Sequence, residues 1–238
     1  MTRLIADQLR HRVRSQGAGP LLTYYDLNSG ERTELSATTC SNWVDKASNL
    51  LVEELDVGPG APVDLELARS APGHWVTFVV ALAAWQVGAV VRVGTKTPDA
   101  SSLLVLGPDW EQHDLSSADA VLACSLHPLG LGFAKALPAG VTDFSLEVRA
   151  QSDVYLGSSP ADGAIAWVDD HRQLSQADLV LIGADRSALR RLVRPGDPWS
   201  TVRDGLLLPL RTGGSTVLVV GGDPNGLSRV AAAERAIE

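Results

Sequence analysis

The sequence predicts an α/β fold, a mostly parallel sheet flanked by helices, in a single domain over residues 1–238. Three observations carry this. Short apolar runs alternate with stretches whose apolar residues recur at one-face helical spacing. The longest apolar run, WVTFVVALAAWQVGAVV (75–91), is interrupted by Thr77, Gln86 and Gly88, as a buried helix leading into a buried strand would be. The 238 residues are 45% apolar and 20% charged, which is enough to bury one large core.

The elements follow in order. Residues 1–19 place Leu4, Ile5, Leu9 and Val13 on one face of a short helix. This basic start lacks a long apolar core, so it does not read as a secretory signal. LLTYYD (21–26) and ERTELS (31–36) are strands around the turn LNSG. Ser36 or Thr38 caps a helix with Trp43, Val44, Ala47, Leu50, Leu51 and Leu55 on one face. It stops near Asp56, with Gly58-Pro59-Gly60 as terminator. PVDLELA (62–68) is a strand. Ser70 with Pro72 starts a helix that runs to about Gln86 and ends at Gly88. AVVRV (89–93), SLLVLG (102–107) and DAVLACSL (119–126) are strands, and TDFSLEVRAQ (142–151) is a helix. VYLG (154–157) and AIAWV (164–168) read as strands. SQADLVLIGA (175–184), RSALRRLV (186–193) and WSTVRDGLLLPLR (199–211) read as helices. STVLVVG (215–221) is a strand, and a last helix runs from Pro224.

The formal net charge is −8, with no basic stripe, which argues against nucleic acid and anionic membrane surfaces as partners. Cys40 and Cys124 stand far apart, so two buried free thiols in a reducing compartment are expected, and the cytoplasm is the expected location. The five histidines form no ligand-like spacing, and no metal centre or cofactor is expected.

The segment GSSPADG (157–163) lies between apolar runs, where small residues often cradle phosphate. Pro160 removes a backbone donor and Asp162 adds a repelling charge, so by residue chemistry it is a turn. The run Asp169-Asp170-His171-Arg172 reads as a solvated loop. Cys124 and His127 lack an orienting carboxylate for thiol catalysis. The tryptophans read as core packing.

PLLTYYDLNSGERTELS, the helix ending in DVGPG (56–60) and the next helix with its exit VGAV (87–90) follow one another in a telling order. Together they resemble the front of AMP-binding adenylate-forming enzymes: acyl-CoA synthetases, luciferases and peptide-synthetase adenylation domains. GLLLPLRTGGSTVLVVGGDPNGLSRVAAAERA (205–236) is similar to a later stretch of the same family, and more closely to a compact actinobacterial set of truncated relatives. Residues 20–107 and 154–238 are the family-like segments. The resemblance implies the fold of a truncated N-terminal domain of such an enzyme.

The family carries T-S-G-[ST]-T-G-x-P-K-G before a helix often opening H-R-N-L. With HRQL (171–174) as that anchor, the signature falls on Gly157, Ser158, Ser159, Pro160, Asp162 and Gly163, and only Ser158 matches. The resemblance thus implies a degenerate nucleotide loop with no catalytic residues. Its cleft would lie by that loop with His171, Trp199, Ser200 and Arg203. The implied function is a catalytically incomplete, non-catalytic protein that binds a small molecule (a nucleotide or acyl compound) or a protein partner, which includes a homo-oligomer. Two alternatives stay open: an acyl-adenylate-forming enzyme acting alone or with a half supplied in trans, and a structural or interaction protein without a pocket.

Overall fold

A computed structural model describes residues 4–94, 102–116, 118–183 and 187–237. Lys96 and the junction Ala184–Arg186 of two expected helices lie outside them.

The described chain contains two sheets. The smaller joins β1 (Pro20–Asp26), β2 (Glu31–Ser36), β10 (Arg190–Val193) and β11 (Ser215–Val220) in the order β10-β11-β1-β2. The larger joins β3 (Pro62–Leu65), β4 (Val90–Val93), β5 (Leu103–Leu106), β6 (Ala120–Ala123), β7 (Val141–Asp143), β8 (Ile165–Asp169) and β9 (Arg172–Ser175). Its order is β7-β6-β5-β3-β4-β8-β9. Only the β1–β2 and β8–β9 pairs are antiparallel.

Helix α1 (Ile5–Gln16) and helix α2 (Ala37–Glu53) form where the apolar spacing predicts. The Ser36 hydroxyl accepts the Thr39 amide at the start of α2. One further turn, α3 (Leu67–Ser70), follows β3 directly. Helix α4 (Trp75–Val87) is buried along its whole length. A helix apolar on every side belongs between layers. Its Phe78 approaches Gly205 and Leu218 of the small-sheet side, while its other flank meets β3 and β4. Gly88 ends it at φ 83°, the left-handed conformation that a helix C-terminus favours in glycine. Further elements are α5 (Phe144–Ala150), α6 (Gln176–Leu181), α7 (Pro198–Val202), α8 (Leu208–Thr212) and α9 (Pro224–Glu234). A π-helical turn, Arg203–Leu207, joins α7 to α8.

Four expectations are corrected. VYLG (154–157) is a loop: Asn49 Nδ2 donates to the carbonyls of Ser152 and Val154 at 2.9 and 3.1 Å, which ties this segment to α2 instead of a sheet. HRQL does not open a helix; Arg172–Ser175 is β9, and Ser175 caps α6 in a reciprocal box with Asp178. Of RSALRRLV, residues 190–193 are strand β10, because β11 offers a parallel partner and Leu192 joins an apolar cluster with Val217, Val219, Leu227 and Val230. The helix expected from Ser70 begins at Trp75, where His74 Nδ1 accepts the Val76 amide at 3.2 Å.

Candidate functional site

Parallel strands end together, and open α/β sheets bind ligands beyond their carboxyl ends. Here the carboxyl ends of β3, β4 and β8 open into a cleft of about 310 Å³. Arg69 reaches it from α3, directly after β3. Val93 and Gly94 close β4. Trp167, Asp169 and the two-residue turn Asp170-His171 come from the β8–β9 hairpin, and Arg172 opens β9. Asp197, Pro198 and Trp199 form the remaining wall at the start of α7.

The back of the cleft is packed and hydrogen-bonded. Trp167 is fully buried, and its ring lies 5.3 Å from that of Trp199. The Arg172 guanidinium stacks over Trp199 at 5.1 Å, a favourable position for a cation. Asp169 ties the group together. Its Oδ2 accepts from the Trp167 indole at 2.8 Å and from Arg172 at 2.7 Å. Its Oδ1 accepts the His171 amide at 2.8 Å. Burial pushes the Asp169 pKa up, but those hydrogen bonds and the Arg172 charge outweigh it and hold the carboxyl below its ordinary value.

The mouth is open. The Asp170 carboxylate and the His171 imidazole are exposed. Gly94 has φ 78°, and a side chain there would meet Arg69 Nη1 at 3.1 Å and Asp170 Oδ2 at 3.6 Å. Glycine thus lets two opposite charges converge over the end of β4.

His171 and Trp199 line this cleft together. The other predicted residues do not join them. The Ser200 hydroxyl turns back to the Asp197 carbonyl at 3.0 Å. Arg203 grips Asp204 through two contacts of 2.7 Å. Neither lines the cleft. The segment Gly157–Gly163 sits at the opposite end of these strands. Pro160 lies 3.1 Å from where a Cβ of Gly88 would stand, beside the amino end of β4. The Asp162 carbonyl accepts the Ala177 amide at 2.9 Å at the start of α6. Ser158, Ser159 and Gly163 are exposed, and the Tyr155 ring folds over Gly157. A loop at the amino ends of the strands cannot share a site with His171 and Trp199. The expected cleft position is corrected accordingly.

The run Asp169–Arg172, expected to be a solvated loop, lines the cleft instead. The missed residues Arg69, Gly94 and Asp197 share one positional signal: Gly94 directly follows β4, Arg69 lies in the one-turn helix after β3, and Asp197 caps α7. Cys124 is buried, which raises its pKa, and His127 Nδ1 accepts the Leu129 amide, so the two form no nucleophile pair. Among the described residues, no group of three or more His, Cys, Asp or Glu side chains is arranged to hold a metal ion. No described helix is long and apolar enough to cross a membrane.

No family model matches the chain. A protein of Mycobacterium tuberculosis (strain ATCC 25618 / H37Rv), described as a TIGR03089 family protein, is 33% identical over 238 residues, covering 94% of this chain and 92% of that protein. The fold is similar to the acyl-CoA synthetase of Brucella canis, with TM-score 0.77 and 16% identity over 98% of this chain and 46% of that one. It is similar to the acetoacetyl-CoA synthetase of Streptomyces lividans, with TM-score 0.73 and 18% identity over 98% and 41%. It is also similar to the N-terminal domain of FACL13 from Mycobacterium tuberculosis, with TM-score 0.69 and 13% identity over 99% and 62%. The chain thus spans roughly half the length of these solved proteins, and its fold is that of their N-terminal part.

Proposed function

The chain belongs to the TIGR03089 family, and from that premise we propose that it is a non-catalytic relative of the AMP-binding acyl-CoA synthetases that binds a small molecule in the cleft at the ends of β3, β4 and β8. The observation that carries this reading is the β8–β9 turn. Adenylation needs donors and positive charge aimed at the transferring phosphate. At this turn the His171 amide is already held by Asp169, and the Asp170 carboxylate faces the open space. Arg172, the nearest cation on the hairpin, is committed to Asp169 and Trp199. The cleft is large enough for a small ligand, and its lining sets the charged and polar groups Arg69, Asp169, Asp170, His171, Arg172 and Asp197 against an apolar wall of Val93, Trp167, Pro198 and Trp199.

The likeness to acyl-CoA synthetases favours one rival reading, in which the chain forms acyl-adenylates alone or with a second half supplied in trans. ATP–pyrophosphate exchange across a panel of carboxylic acids decides between them. The expected result is no exchange above background. Reproducible exchange that is lost in an Asp170→Ala variant would overturn the proposal.

A further inference from the structure

Charge sorts the groups that face the cleft. Asp169 and Arg172 neutralise one another, and Asp197 Oδ2 is held by the Ser200 amide at 2.8 Å. Arg69 and Asp170 remain, converging over Gly94 without an ion pair between them. Arg69 is drawn partly aside by Glu66, at 3.6 Å. Asp170 makes no hydrogen bond or ion pair among the described residues. Among the described residues, three carboxylates thus line the cleft against two guanidinium groups, and the exposed one at its mouth, Asp170, has no partner there. A partly enclosed site of this kind favours a ligand of the opposite sign, because the low-dielectric wall on one side strengthens the interaction.

We propose that Asp170 is the charge-selecting residue of this cleft: it makes the site accept small ligands that carry a protonated amine and reject oxyanions, and neutralising it hands the site to Arg69. The inference rests on the reading of the cleft as a non-adenylating binding site. Trp167, Trp199, Pro198 and Val93 supply the apolar wall against which the body of such a ligand packs.

Benzylamine and benzoate test it, since they share a ring and differ in the sign of their charge. Calorimetric titrations at about pH 8 keep ordinary imidazoles neutral and the amine protonated. The wild-type protein is expected to bind benzylamine at least about tenfold more tightly than benzoate. In Asp170→Asn that ratio falls by about tenfold or reverses, and in Arg69→Ala benzylamine binds more tightly still. Unchanged thermal melts of both variants exclude misfolding as the cause. Equal binding of the two probes by the wild type, a ratio unmoved by Asp170→Asn, or no saturable binding of either probe would overturn the proposal. Pyrophosphate exchange would defeat the underlying reading whatever the two probes do, so the two failures are distinguishable.

Discussion

The two ends of β4 and β8 make opposite use of similar residues. At the amino ends, Gly88, Pro59 and Pro160 close on one another, and the Gly/Ser/Pro segment 157–163 runs over that closed edge. At the carboxyl ends, Gly94 leaves a gap between Arg69 and Asp170, and the cleft opens there. Glycine seals one end and opens the other. A small-residue loop therefore speaks of phosphate only when the topology puts it at the carboxyl end. Composition reports what a loop is made of, and strand direction decides what it can meet.

This contrast is open to attack, and the sharpest probe is Trp85. Its indole donates to the Ala166 carbonyl at 2.8 Å, next to the amino end of β8, and its ring is fully buried. Trp85→Ala should cost about 3–5 kcal/mol, read from urea unfolding, because it opens a cavity and orphans a carbonyl. A loss below about 1 kcal/mol would mean that the amino-end seal is not part of the core.

His74 comes next. It lies at the start of α4, dry although α4 begins on the cleft side of the sheet, and desolvation lowers its pKa to about 4. In the unfolded chain an imidazole takes its proton near 6.5. Between those values the unfolded state binds more protons, so stability is full above about pH 6.5 and falls as pH drops through about 4. The expected loss is roughly 3 kcal/mol from this group alone. Glu31, 3.9 Å from His74 and raised by burial, acts with the opposite sign and offsets part of it. Urea midpoints at several pH values check this, and His74→Asn, which keeps a capping acceptor, should flatten the slope.

Gly88→Ala should cost about 1–3 kcal/mol, since φ 83° strains any side chain and the new methyl group meets Pro160. The smallest effect belongs at the open end. Asp170→Asn should change stability by less than about 0.5 kcal/mol in the same assay. A large change there would show that the turn serves the fold and not a ligand.

The fold was legible where periodicity and caps agree. Ser36 with its following one-face pattern gave α2, and the continuous apolar run to Gly88 gave α4 and its exit into β4. Legibility failed where partners far away in sequence decide the structure. The stretch RSALRRLV has helical spacing, yet β11 recruits its second half as an edge strand through Leu192. VYLG has strand composition, yet Asn49 takes its carbonyl bonds. The site was legible only in His171 and Trp199. Placing the hairpin turn in the cleft requires knowing that HRQL is a strand, because the helix anchor shifts the reading back to residues 157–163. Arg69 and Gly94 are signalled only by their places just beyond β3 and β4. They become visible only when β3, β4 and β8 are seen to end side by side.

The π-helical turn Arg203–Leu207 separates two duties along one rod. Ahead of it Trp199 faces the cleft; from Gly205 onward Leu206, Leu207 and Leu210 are buried in the core, and a Cβ at Gly205 would stand 3.0 Å from the Phe78 ring. A wide turn absorbs one residue more than an α-turn within a single revolution, so the two flanks keep nearly the phase of an uninterrupted helix. Removing that residue would restore an ordinary helix with Trp199 still aimed at the cleft, whereas a deletion in the α-helical turn ahead of it would swing the Trp199 end by about 100°. In evolutionary terms, the wide turn is where this rod tolerates a change of length with wall and interior both kept in place.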